Sequence, residues 1–284
     1  MRARERAEAA DAAVSGAAGA EAGFALHRGD APLLLSIPHA GTELDDELAQ
    51  RLTPEARALP DTDWHLPLLY DFAASLGATI LTARRSRYVI DLNRPPDDAS
   101  LYPGRATTGL VPMETFAGAA IYRDGAAPAP AEIAARRERD WRPYHEALAA
   151  ELARLRQRFG TVVLWDAHSI ASRVPRLFEG RLPDLNLGTA DGTSCDGALR
   201  AALMARLAAQ QAWSFVVDGR FKGGYITRHY GQPRAGVHAV QLEMCCSTYM
   251  EEEAPFAWDA ERAAAGRAVV RGLVEGALDW VRRR

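Results

Sequence analysis

Short apolar runs, β-branched or leucine-rich, alternate along this chain with segments of helical periodicity, and that alternation restricts the fold more than any other feature. The run Leu33–Ile37 (LLLSI) is bounded by Pro32 and Pro38 and reads as a buried strand. The runs at 78–82 (ATILT), 88–92 (YVIDL), 161–165 (TVVLW), 214–217 and 237–242 read the same way. Each is short and apolar on both faces, as central strands covered by helices are. Between them, Trp64, Leu68, Leu69, Phe72 and Leu76 recur at helical spacing, with Asp61 or Asp63 as the expected N-cap. A long helix is predicted over 131–159, stopped by Gly160. Leu199, Leu203 and Leu207 mark another helix, and Val270, Leu273, Val274, Leu278 and Val281 mark a last one. The expected fold is α/β: a mixed, mainly parallel sheet with helices on both faces. Residues 95–130 are rich in Gly, Pro, Asp and Ala and read as a long irregular segment of the kind that usually serves function.

At 284 residues the chain is long enough for one large α/β domain. Residues 1–22 are expected to be a frayed tail, and 23–284 a single catalytic domain. The formal net charge of −3 gives no basic field for nucleic acid. Neither a basic amphipathic helix nor an apolar run near the roughly 20 residues of a membrane span is present. The cysteines, Cys195, Cys245 and Cys246, are odd in number and form no CxxC, which suits a reducing compartment and a cytoplasmic location.

Ligands of open α/β sheets gather at the carboxyl ends of strands, and reactive residues end several of these runs. His39 follows LLLSI directly, with Gly41 beside it to let the backbone turn. His168 follows TVVLW, and Asp166 stands two residues before it as a partner for the second ring nitrogen of a metal-ligating histidine. A carboxylate would complete a His, Asp, His site with a position open for water, the usual form of catalytic zinc. Spacing alone leaves Asp61, Asp63 and Glu43 open for that place. Glu243 ends the run VHAVQL, where a buried carboxylate is costly unless paired or functional; near a metal it would be the general base. Arg94, after VIDLN, carries the planar fork suited to a carboxylate. Gly223 and Gly224 precede Arg228 and permit close backbone approach to a ligand.

Taken in order, SIPHAG, DTDW, VIDLNR, DAHS, FKGGYITRHYG and GVHAVQLEM resemble the N-formylglutamate amidohydrolase (deformylase) family of histidine degradation, from about residue 23 to the C-terminus. The resemblance implies a fold similar to zinc carboxypeptidases and aspartoacylase-like enzymes (phosphorylase/hydrolase-like), with one zinc ion per chain at strand ends. It implies His39 and His168 as metal ligands, Asp63 as the third, and Glu243 as the catalytic glutamate. Asn93 and Arg94 would hold a substrate carboxylate, Arg94 or a backbone group would face the oxyanion, and Arg228 would be a second anchor beside Gly223 and Gly224. Arg87, Arg105 and Arg123 are reserves for that role. In carboxypeptidases a glutamate stands three residues after the first histidine; here that position is Thr42, so the acidic ligand must come from elsewhere. The expected substrate is a small N-acyl acidic amino acid, N-formyl-L-glutamate first. Weighed against it are an aspartoacylase-like deacylase of another N-acyl amino acid, a cysteine amidase using Cys195 or Cys245, and a non-catalytic dicarboxylate-binding protein.

Overall fold

The computed structural model describes residues 23–101, 104 and 107–284. The tail expected over 1–22, and Arg105, lie outside the described residues. Among the described residues, seven strands form one sheet: β1 (Phe24–His27), β2 (Leu33–Ile37), β3 (Thr79–Ala83), β4 (Val162–Ile170), β5 (Leu185–Gly188), β6 (Phe215–Val217) and β7 (Val237–Cys245). Their spatial order is β1-β3-β2-β4-β7-β5-β6. The central four, β3, β2, β4 and β7, run parallel. β1 pairs antiparallel on one edge, and β5 pairs antiparallel with β7 on the other side, carrying β6 parallel to itself. The sheet is therefore mixed and mainly parallel, as expected.

The helices are α1 (Asp46–Arg51), α2 (Pro54–Arg57), α3 (Leu66–Leu69), α4 (Pro130–Arg136), α5 (Arg142–Phe159), α6 (Gly197–Ala209), α7 (Tyr225–Tyr230) and α8 (Ala260–Arg282). Side chains alternate across a strand, so β2 splits its leucines between two cores. Leu33, Leu35 and Ile37 join Val163, Trp165, Val240 and Leu242 beneath α3, α6 and α8. Leu34 joins Val162, Leu164 and Ala239 against Tyr144, Leu148, Leu152 and Leu155 of α5. Burial on both faces explains why these strands lack polar alternation.

Three expectations need correction. The run 88–92 is not a strand. β1 fills the sheet edge beside β3, and the run is instead a buried turn whose polar backbone is met by side chains: Arg136 Nη1 donates to Val89 O at 3.0 Å. The pattern from Trp64 to Leu76 does not make one helix. It breaks into the single turn α3 and a 3-10 segment, Asp71–Leu76. Neither Asp61 nor Asp63 caps it: the N-cap is His65, at φ 61°, with no side-chain cap. The segment 131–159 is one run of helix, but a π turn, Arg137–Trp141, interrupts it between α4 and α5. Gly160 stops it at φ 77°, as expected. Among the described residues, the irregular stretch 95–130 holds no named strand before helix resumes at Pro130.

Leu35 is fully buried at the centre of the sheet. Leu35→Ala should cost about 2–5 kcal/mol of unfolding free energy. Urea denaturation checks this, and a loss below about 1 kcal/mol would contradict the two-faced packing described.

Candidate metal centre and active site

Parallel pairing brings the carboxyl ends of β2, β4 and β7 side by side, and the reactive residues sit there. His39 lies two residues past β2. Gly41 follows where a Cβ would come 2.1 Å from Arg85 O, so no other residue fits that approach. His168 lies within β4, directly opposite Glu243 of β7 in the register. Asp63 arrives from the loop before α3 and is fixed by its backbone N–H, which donates to His39 O at 3.0 Å.

His39, Asp63 and His168 converge, with potential ligand atoms all within 4.8 Å of one another. His39 Nδ1 is 3.2 Å from His168 Nδ1. Asp63 Oδ2 is 3.8 Å from the first and 3.4 Å from the second. The outer nitrogens face carboxylates: His39 Nε2 to Asp91 Oδ1 at 2.8 Å, His168 Nε2 to Asp166 Oδ2 at 3.1 Å. With Nε2–H donating outward, both Nδ1 lone pairs point at each other and at Asp63. Both Asp63 oxygens are buried without a hydrogen-bond partner. Such a group is expensive to desolvate, and lone pairs facing one another repel. A divalent cation among them resolves both problems, and the imidazole–carboxylate donor set suits one. The residues therefore fit a metal ion.

The electrostatics agree. Burial, and then the Arg87 charge, lowers the pKa of His39 and favours the neutral ring that a ligand needs. Burial would lower His168 as well, but Asp166 and Asp63 outweigh it and raise its pKa well above the ordinary histidine value. Asp91, which burial alone would raise, is held well below the ordinary carboxylate range by His39 and Arg87. Glu243 is pushed up, chiefly by burial, with His168 and Arg87 opposing.

The backbone at 92–94 is braced by an aromatic cluster. His145 Nε2 donates to Leu92 O at 2.9 Å, Tyr225 N to Asn93 O at 3.3 Å, and Trp141 Nε1 to Arg94 O at 3.0 Å. Burial holds His145 down to about 3, so it stays neutral. Trp141 stacks on it with ring centroids 3.8 Å apart, a placement that follows from the π turn.

An open cleft of about 600 Å³, mouth included, lies over the histidines. Glu243, Asn93, Arg94 and Gly224 line it. Arg228 and Gly223 are not among the described residues lining it, and Arg228 Nε donates to Gly223 O at 2.8 Å. Asn93 lines the cleft and also packs beside the metal centre. Its Oδ1 accepts from Ile226 N at 2.8 Å and its Nδ2 lies 3.0 Å from His168 Nε2. Gly224 is a glycine for Asn93's sake, since a Cβ there would lie 2.2 Å from Asn93 Nδ2. Arg123 Nε donates to Leu52 O and is not in the cleft lining. Asp61 accepts from Phe116 N at 2.9 Å and Tyr88 Oη at 2.8 Å, and Glu43 pairs with Arg84, so neither joins the centre. Cys195 and Cys245 lie outside the cleft lining, and burial pushes both thiols up to about 12, which leaves a thiolate nucleophile without support.

Sequence reasoning assigned no role to Asp91 or Arg220. Asp91 was visible inside DLNR, two residues before Asn93. Arg220, with Phe116 and Phe221, lines the cleft from loops that carry no local pattern.

A sequence profile of the family N-formylglutamate amidohydrolase matches residues 31–250. N-formylglutamate deformylase of Pseudomonas aeruginosa is 58% identical over 261 residues, covering 92% of this chain and 98% of the relative. The enzyme of the same name from Pseudomonas putida is 52% identical over 257 residues, covering 90% and 96%. A crystal structure of N-formylglutamate amidohydrolase from Ralstonia eutropha superposes with a TM-score of 0.79 at 26% identity, covering 92% of this chain and 99% of the other.

Gly224→Ala should displace Asn93 and loosen His168. Metal affinity, read by competition with a chelator, is expected to fall roughly 10–100-fold, the usual penalty for disturbing a ligand's outer partners. Unchanged affinity would detach Asn93 from the centre.

Proposed function

The chain belongs to the N-formylglutamate amidohydrolase family, and we propose that it hydrolyses N-formyl-L-glutamate to formate and L-glutamate with one zinc ion at His39, Asp63 and His168. The observation that carries this reading is the buried Asp63 carboxylate, without a hydrogen-bond partner, facing two Nδ1 atoms at the base of the cleft. The names of the relatives from both pseudomonads supply the substrate.

When bound, zinc would polarise the amide carbonyl and acidify the attacking water. The rest is work for the chain. Asp91 and Asp166 hold the two imidazoles with Nδ1 inward. Glu243 removes a proton from the attacking water as its oxygen bonds to the formyl carbon. The same carboxyl then gives that proton to the amide nitrogen as the C–N bond breaks. A pKa raised by burial suits a group that both takes and returns a proton. Arg87 is our assignment for the donor facing the developing oxyanion: it lines the cleft, and its buried Nε has no hydrogen-bond partner. Arg94 is our assignment for the α-carboxylate. It spends N–H groups on Thr108 O, Thr108 Oγ1 and Asn93 O. A guanidinium has five such donors, so two remain.

The same proposal extends to a single catalytic domain over residues 23–284, a zinc-carboxypeptidase-like fold, and a cytoplasmic place as the last step of a histidine degradation route. Among the described residues, no helix is long and apolar enough to cross a membrane.

Purified protein should release formate from N-formyl-L-glutamate. Glu243→Gln should keep its metal and lose roughly 10²-fold or more in kcat. Metal-loaded Glu243→Gln with normal turnover would remove Glu243 from the chemistry. A wild-type protein that spares N-formyl-L-glutamate but cleaves another N-acyl amino acid would move the substrate.

A further inference from the structure

N-formyl-L-glutamate carries two carboxylates, and a desolvated carboxylate needs its own cation or hydrogen-bond donors. Three arginines are found among the described residues lining the cleft: Arg87, Arg94 and Arg220. Arg87 is committed at depth, with Nη2 on Asp91 Oδ2 at 2.6 Å, Nη1 on Asp61 O at 3.3 Å, and its guanidinium 4.7 Å from the Phe116 ring centroid. Arg94 belongs to the Thr108 side of the cleft. Arg220 stands elsewhere, on the loop between β6 and α7.

Its surroundings differ in kind from those of the other two. Ile170, Leu177 and Phe221 line the cleft with it, and all three belong to one small apolar cluster at the end of β4. Ile170 follows His168 by two residues in β4, so the two share a face, about 7 Å apart along the strand. Arg220 is held against this wall: Nε donates to Leu177 O at 2.8 Å, and the guanidinium carbon lies 5.3 Å from the Phe221 ring centroid. An apolar wall running away from the metal centre, with a guanidinium fixed upon it, matches a short aliphatic chain that ends in a carboxylate.

From this geometry, and resting on the hydrolase reading above, we infer that Arg220 is the specificity-determining residue of the cleft: it pairs with the side-chain carboxylate of the N-acyl amino acid. Ile170, Leu177 and Phe221 pack the methylenes. The subsite selects an acidic side chain over its neutral isostere, because a guanidinium pairs more strongly with a carboxylate than with an uncharged amide.

The test compares N-formyl-L-glutamate with N-formyl-L-glutamine, an uncharged isostere, on metal-loaded wild type, Arg220→Met and Arg220→Lys. The wild type should prefer the acid. Arg220→Met should lower kcat/KM on the acid about 10²-fold, as expected for losing one partner of a buried charge pair. It should leave the amide nearly unchanged, so that the preference collapses. Arg220→Lys should retain part of the preference, because the charge survives without the fork. Equal losses on both substrates in both variants, or a preference that survives in Arg220→Met, would overturn the assignment of Arg220 while leaving the hydrolase standing. A wild type that releases formate from neither substrate overturns the hydrolase reading, and this inference with it.

Discussion

A carboxylate buried without a hydrogen-bond partner is the constraint on which the rest of this structure depends. Asp63 is almost wholly excluded from solvent, and neither of its oxygens has a hydrogen-bond partner. Two imidazoles turn their inner nitrogens toward it, because Asp91 and Asp166 claim the outer ones. Each of these placements is unfavourable alone. Together they form a negative, lone-pair-rich cage that a divalent cation satisfies, and the sheet topology exists in a form that delivers them. Parallel β2 and β4 set the histidines at neighbouring strand ends, and β7 sets Glu243 beside His168.

The other half of the site hangs on irregular backbone. Residues 88–93 are buried, so their peptide groups need partners that no neighbouring strand provides. Arg136 serves Val89, and His145, the Tyr225 backbone and Trp141 serve Leu92, Asn93 and Arg94 in turn. Asp91 N donates to Leu110 O at 2.7 Å. This bracing lets one short segment turn Asp91 toward His39, Asn93 toward His168 and Arg94 toward the cleft, three directions that the alternation of a strand would not allow. The π turn at Arg137–Trp141 is the helix's side of the same arrangement.

Much of this was legible in the residues, for physical reasons. The runs that became β2, β4 and β7 are buried on both faces, and that pattern survives in one sequence; β3 and the partly exposed β6 were legible as short β-branched runs. His39 and His168 stood out because each closes such a run. Asp63 could be separated from Asp61 and Glu43 only by resemblance. In space, Asp61 is occupied by Phe116 and Tyr88 while Asp63 is left open. The segment 88–92 misled because burial on all sides looks alike in a strand and in a braced turn. The short strands β1 and β5 passed unnoticed: β1 is only half-buried, and the four residues of β5 include a glycine and an asparagine. The glycines before Arg228 also have packing roles that a local pattern does not show: Gly224 clears Asn93, and Gly223 O takes the Arg228 side chain. Arg220 carries no local signal, since its meaning comes from Ile170 and Leu177, each more than 40 positions away in the chain.

The most direct test of the metal centre is anomalous diffraction at the zinc edge on crystals of the purified, active protein. One ion should appear, within about 2.0–2.2 Å of His39 Nδ1, His168 Nδ1 and an Asp63 oxygen, the usual lengths for zinc with such ligands. An ion bound elsewhere, coordination through either Nε2, or full activity in protein that carries no ion would contradict it.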